Sequence, residues 1–164
     1  MKKLNLLLLG FLFAVSNLQA QDNPDVKVRI SATIVDFIEM ITIADIDVGT
    51  VIPSDDLLRL NPRTDQGAGI MLIQGRKDAN VQISFSNQVE MVNLATATSM
   101  TVIYEVSGND KNEQTSSFIF TSNPETVVLN TNGEYYLWIG CSFSLSDLVA
   151  GQYDGDFVIE VDYN

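Results

Sequence analysis

Carboxylates are the only side chains this 164-residue sequence holds in enough number to do chemistry: it has twenty-one Asp and Glu, a single Cys and no His. They fall close together at Asp45 and Asp47, at Asp55 and Asp56, and at Asp154 and Asp156, and the loop Asn109, Asp110, Lys111, Asn112, Glu113 adds further oxygen donors. Oxygens of this kind suit calcium, but the loop lacks the twelve-residue ligand spacing of an EF-hand. Asp and Asn are also what β-turns demand of any chain, so these acids read as solvated turn residues. Two carboxylates suffice to hydrolyse a glycosidic bond, yet nothing singles out a pair here. The missing histidine removes the commonest general base and metal ligand, and one cysteine cannot build a zinc, copper or iron–sulfur site. With no Gly-x-Ser-x-Gly elbow, phosphate loop or dinucleotide fingerprint either, the expectation is no catalytic residue, no metal and no cofactor.

Three further residues carry a surface or redox question. Tyr136 and Trp138 alternate with Tyr135, Leu137, Ile139, Cys141, Phe143 and Leu145. An outward Tyr/Trp pair on a sheet can stack on a sugar or contact another subunit, or it can pack beneath a covering loop; both readings stay open. Cys141 lies on the opposite, apolar face, which predicts a buried, inert thiol. As the sole cysteine it also rules out an intrachain disulfide, so stability must come from core packing.

The elements that position these residues are strands, because apolar residues recur with a period of two almost throughout. Val26, Val28, Ile30, Ala32 and Ile34 alternate with polar residues, and short β-rich runs follow over 38–43 and 48–52. Residues 53–69, punctuated by Pro53, Pro62, Gly67 and Gly69, read as irregular, either with one helical turn over 55–60 or as a long surface loop throughout. Strands are then expected over 70–74, 80–86, 100–106, around Phe118 and Phe120, over 127–129, 135–145 and 152–164, with a polar loop over 108–114. Asn132-Gly133 is the strongest hairpin signal. About nine strands at regular spacing predict an antiparallel β-sandwich, immunoglobulin-like in architecture, with a closed barrel as the alternative. The strands are too short and irregular for a transmembrane barrel.

The amino terminus reads as an export signal: Lys2 and Lys3, an apolar run over 4–15, then a polar stretch ending at Ala20, with cleavage before Gln21. The apolar run is short for a membrane span. Residues 21–164 form the single mature domain, and its place is the periplasm, the cell surface or the medium. Removing Lys2 and Lys3 leaves seven basic against twenty-one acidic side chains, a charge of −14. Such a surface repels nucleic-acid phosphates and anionic lipid heads.

The closing segment combines these signals. Phe157, Ile159, Val161 and Tyr163 alternate with Asp156, Val158, Glu160 and Asp162, preceded by Gly151, Tyr153 and Gly155. Four large apolar groups on one face lock a strand into a core, and the acids opposite keep its other face wet. Together with Asp45-Ile46-Asp47-Val48-Gly49 and the stretch 75–85, the turn Gly151-Gln152-Tyr153-Asp154-Gly155 and the strand Ile159-Glu160-Val161-Asp162-Tyr163 resemble the exported bacterial domain-of-unknown-function family 4402 (DUF4402). The ending is also similar to that of chaperone–usher pilins, which carry a glycine where Gly151 stands and a penultimate aromatic where Tyr163 stands. That resemblance implies a structural or adhesive surface subunit, with a periplasmic chaperone, pilus-type subunits or self-association as partners. It also makes the strand over 26–34 a candidate for donation to a neighbouring subunit, or else for completing its own domain. The alternative function is a secreted carbohydrate- or calcium-binding module that uses Tyr136, Trp138 and the paired acids.

Overall fold

Alternating apolar residues are stable only where one face of a sheet meets another, and among the described residues ten strands solve that problem as two antiparallel sheets packed face to face. The computed structural model describes residues 37–49 and 57–164, which fall within the compact unit from Val35 to Asn164. The expected signal, its cut after Ala20, the strand over 26–34, Asp55 and Asp56 lie outside the described residues. So does most of the strand expected over 48–52; its described part, Val48 and Gly49, is not strand.

The large sheet contains β1 (Glu39–Ala44), β2 (Leu57–Leu60), β3 (Gly69–Gln74), β5 (Gln88–Asn93), β6 (Thr98–Asn109), β7 (Phe118–Ile119) and β9 (Glu134–Ser144). The small sheet runs in the order β10 (Ile159–Tyr163), β4 (Asn80–Phe85), β8 (Glu125–Val128). The axis of the large sheet is the β6–β9 pair, in register from Ile103 opposite Ser142 to Asn109 opposite Tyr136. On its other side β9 takes two partners in succession. β3 pairs with 134–139 and β2 with 141–144, so Gly140 falls between them. Residues 61–68 loop out at that point and return over Gly140, where a side chain would overlap the Leu60 carbonyl and stand 2.6 Å from Pro62 Cδ.

Inward side chains from both sheets form the main core. Ile73, Val106, Tyr135, Leu137 and Ile139 of the large sheet meet Val81, Ile83 and Val127 of the small one, with Ile159, Val161 and Tyr163 packed against them. This is the all-β antiparallel sandwich expected from the sequence.

Local assignments differ in instructive ways. The helical turn or loop expected over 55–60 is, in its described part, strand β2: pairing with β9 outweighs the local preference of its residues. β5 has no counterpart in the sequence reading; it forms a hairpin with β6 around a turn in which Asn93 Oδ1 accepts the Ala95 and Thr96 N–H groups. β6 runs on to Asn109, through Gly108, where a polar loop was expected. Asn132-Gly133 does form a turn, with Gly133 at φ +81°, but it is not a hairpin. It joins β8 of one sheet to β9 of the other, and the Gly133 carbonyl accepts the Gly75 N–H at 2.8 Å.

Gly140 therefore tolerates no side chain without lifting the 61–68 loop. Gly140→Ala is expected to destabilise the fold by about 1–3 kcal/mol, as overpacking of a dense site does. Chemical denaturation of the variant beside the parent checks this.

Candidate functional site

Strand length creates the most unusual feature of the molecule. β6 and β9 have 12 and 11 residues, whereas β4, β8 and β10 have six, four and five. At about 3.3 Å per residue the long pair outruns the small sheet by roughly half its length. The overhanging inner face is apolar, and it forms a second cluster of Val102, Cys141, Phe143 and Leu145 with Leu58, Leu60, Met91, Met100, Tyr104 and Leu148 around it. Over it lies an open groove of about 440 Å³. Its floor is Met91 of β5, Met100, Val102 and Tyr104 of β6 and Cys141 and Phe143 of β9; its walls are Ile46 and Val48 on one side and the segment 145–153 on the other.

The closing motif divides across this boundary. Ile159, Val161 and Tyr163 seal the main core, and the Tyr163 hydroxyl accepts the Arg76 N–H (2.8 Å) while donating to the Phe37 carbonyl (2.7 Å). The Arg76 guanidinium also lies 5.3 Å from the Tyr163 ring centre. Phe157 stands at the junction, its ring 4.4 Å from that of Tyr104. Gly151 and Tyr153 line the groove instead, and Gly155 presses against Met91 of β5, where a side chain would stand 2.9 Å from Met91 Cγ. The continuous strand expected over 152–164 is strand only from Ile159 to Tyr163, because Asp154 bridges to Val92 of the large sheet. Among the described residues β10 pairs with β4 alone, so its outer edge ends the small sheet.

Trp138 is 1% exposed. Of the aromatic pair offered for ligand contact, only Tyr136 presents surface, and the open alternative resolves to burial for Trp138. The cover is visible from its neighbours. Ser107, opposite Trp138 on β6, receives a hydrogen bond from buried Ser117 (2.9 Å), and Pro62 lies on Gly140 two residues along the same face. Gln114 Nε2 ties the two covering loops together by donating to the Pro62 and Asp65 carbonyls (3.0 and 2.9 Å).

The described members of the paired acids, Asp45, Asp47, Asp154 and Asp156, lie outside the named strands. Asp47 Oδ1 accepts the Gly49 N–H at 2.8 Å, and Asp154 Oδ1 accepts from Gln152 at 2.9 Å. In the 109–113 loop the Asn109 amide donates to the Glu113 carbonyl and to Ser116 Oγ. Among the described residues no three His, Cys, Asp or Glu side chains come together as a metal site, and no helix is long and apolar enough to cross a membrane. Cys141 is 4% exposed, and burial pushes its thiol above the ordinary 9.0. The groove residues Met91 and Leu148 were absent from the sequence reading; the alternation of Val89 and Met91 with Gln88 and Glu90 was the signal for β5.

The fold and groove define a class of molecule: an antiparallel sandwich with unequal sheets and an apolar floor left open beside its last strand. Neither a family model nor a curated protein matches the chain. Among solved structures it is similar to the CsuC–CsuE chaperone–tip adhesion subunit pre-assembly complex from archaic chaperone–usher Csu pili of Acinetobacter baumannii. Identity is 14% and the TM-score 0.33; the match covers 77% of this chain and 40% of that one, so this chain spans less than half its length.

Two outcomes follow from these placements. Trp138→Ala is expected to cost about 3–5 kcal/mol of stability, as emptying a buried aromatic site does, while Tyr136→Ala costs well under half of that; urea unfolding of both variants separates them. The thiol contributes to alkaline sensitivity. Below its ordinary range the folded and unfolded chains hold the same proton; above 9.0 the unfolded chain ionises first, so stability falls as pH rises. Cys141→Ala should flatten that part of the decline in melting temperature against pH.

Proposed function

We propose that this protein is an exported, non-enzymatic structural subunit of a bacterial surface assembly, completed by a β-strand from a neighbouring copy. The observation that carries the reading is the sandwich's incomplete cover: an apolar groove of about 440 Å³ over β5, β6 and β9, adjoining β10 through the Phe157–Tyr104 contact. An extended segment with apolar residues at every second position fits such a site, because its backbone extends a sheet edge while alternate side chains enter the groove. Residues 26–34 have that pattern, with Val26, Val28, Ile30 and Ile34 on one face. The export signal read from residues 1–20 and the Gly151 and Tyr163 positions that resemble the pilin ending support the same reading. A periplasmic chaperone would hold the groove until a neighbour's strand arrives.

Purified mature protein, residues 21–164, is expected to form oligomers that persist in mild denaturant, and Val28→Asp with Ile30→Asp should reduce them to monomers. Light scattering across a concentration series checks this. A parent protein that stays strictly monomeric at high concentration would overturn the reading in favour of a domain completed by its own strand.

A further inference from the structure

The wall of the groove formed by residues 145–153 differs from the rest of the sandwich in how it is held. Its ends are fixed: β9 finishes at Ser144, and Asp154 exchanges two backbone hydrogen bonds with Val92 (2.9 and 3.1 Å). Between those points, among the described residues, two hydrogen bonds tie the segment to its own fixed ends, Ser146 N–H to Ser144 Oγ (3.2 Å) and Gln152 Nε2 to Asp154 Oδ1 (2.9 Å), and one reaches across to β6, between Thr98 Oγ1 and the Tyr153 hydroxyl at 3.1 Å. The same hydroxyl clasps the segment upon itself, donating to the Val149 carbonyl (3.0 Å) and accepting the Val149 N–H (3.1 Å). Apolar attachment is limited to buried Leu145 and half-buried Leu148, while Val149 is 44% exposed.

A second feature opposes closure. Gly151 rests so closely on Asn93 that any side chain there would overlap the Asn93 amide nitrogen. Asn93 is 2% exposed. Its Oδ1 accepts the Ala95 and Thr96 N–H groups, which fixes the orientation of the amide. Its Nδ2 is left buried with no hydrogen-bond partner among the described residues. A buried donor without a partner is costly, and water would satisfy it as soon as Gly151 moved away.

From this balance we infer that residues 145–153 form a strap that opens and shuts over the apolar groove, clasped by Tyr153 and biased toward opening by Asn93. When it lifts, the groove widens on that side and bares more of the floor around Cys141 and Phe143, and when it shuts the unassembled subunit hides that part of the apolar surface from wrong partners. The strap thus regulates access to the groove assigned above. It rests on that assignment only for what enters, since opening can be measured with no occupant present.

Cys141 is the reporter. It is the sole cysteine, lies on the groove floor and is 4% exposed, so alkylation requires an opening. Mature protein is treated with iodoacetamide under native conditions, and the labelling rate is followed by mass spectrometry for the parent, Tyr153→Phe, Gly151→Ala and Leu137→Ala. The first two variants loosen the strap, by removing the clasp or by blocking the seat on Asn93. The third weakens the main core beyond the strap. Both strap variants are expected to label about tenfold faster than the parent, as loss of a clasp worth one or two hydrogen bonds implies. Faster hydrogen exchange should be confined to 145–153, with the rest of the sandwich protected. Unchanged labelling in both strap variants would overturn the inference. So would acceleration that follows global stability across all three, with Leu137→Ala labelling fastest. Strap opening in a protein that never oligomerises would keep the strap and discard the assembly reading; oligomers with no strap opening would do the reverse.

Discussion

The pairing of β6 with β9 is the constraint from which the rest follows. Two strands of 12 and 11 residues are apolar on their inner face along nearly their whole length, from Tyr135 to Phe143 and from Val106 back to Val102. The opposing sheet is too short to cover them. Where β4, β8 and β10 reach, a dry core forms around Ile83, Leu137 and Ile139. Where they do not, the same two strands need another cover, and among the described residues the loop after β1 and the segment 145–153 supply it. Groove and strap are thus two consequences of one mismatch in length.

β9 meets a second demand on its outer face. Being central, it is flanked by β6 on one side and by β2 and β3 on the other, and its outward Trp138 and Gly140 are also buried. That burial is possible because the large sheet carries its own cap, the 61–68 loop and the turn around Gln114, joined by the hydrogen bonds of Gln114. Gly140 allows the cap to approach, and Trp138 fills the space beneath it. A tryptophan whose alternation points outward can therefore be a core residue of a third, thin layer.

The sequence made the strands legible where one face is apolar and the other polar. Val81, Ile83 and Phe85, or Ile159, Val161 and Tyr163, alternate cleanly because each strand has one dry side. It misled where pairing overrides local preference. Leu57 to Leu60 read as a helical turn or a loop, and only the free edge of β9 makes them a strand. Gly108 read as loop, yet it stays in β6 because Tyr135 and Phe120 pack where its side chain would be. Asn132-Gly133 specified the turn but could not say that its two flanking strands belong to different sheets. The closing motif was legible as residues and illegible as geometry: nothing local to Gly151 and Tyr153 says that they leave the small sheet and lie over a groove. The groove itself depends on comparing strand lengths across two sheets, a property no window of sequence contains.

Charge explains how such a groove can stay free of casual contacts. The sequence carries nine basic and twenty-one acidic side chains, and along β10 Glu160 and Asp162 are exposed while Ile159 and Val161 turn inward. Like-charged copies repel over about 8 Å at physiological ionic strength, whereas apolar contact acts only on touching. Approach in any orientation is therefore opposed until apolar surface is buried in quantity. An apolar strand entering an apolar groove satisfies that condition, and casual pairing along an acidic edge strand does not. On the assembly reading, the acidic surface and the groove act as one specificity device: the first suppresses wrong contacts, and the second rewards the single contact that buries enough surface.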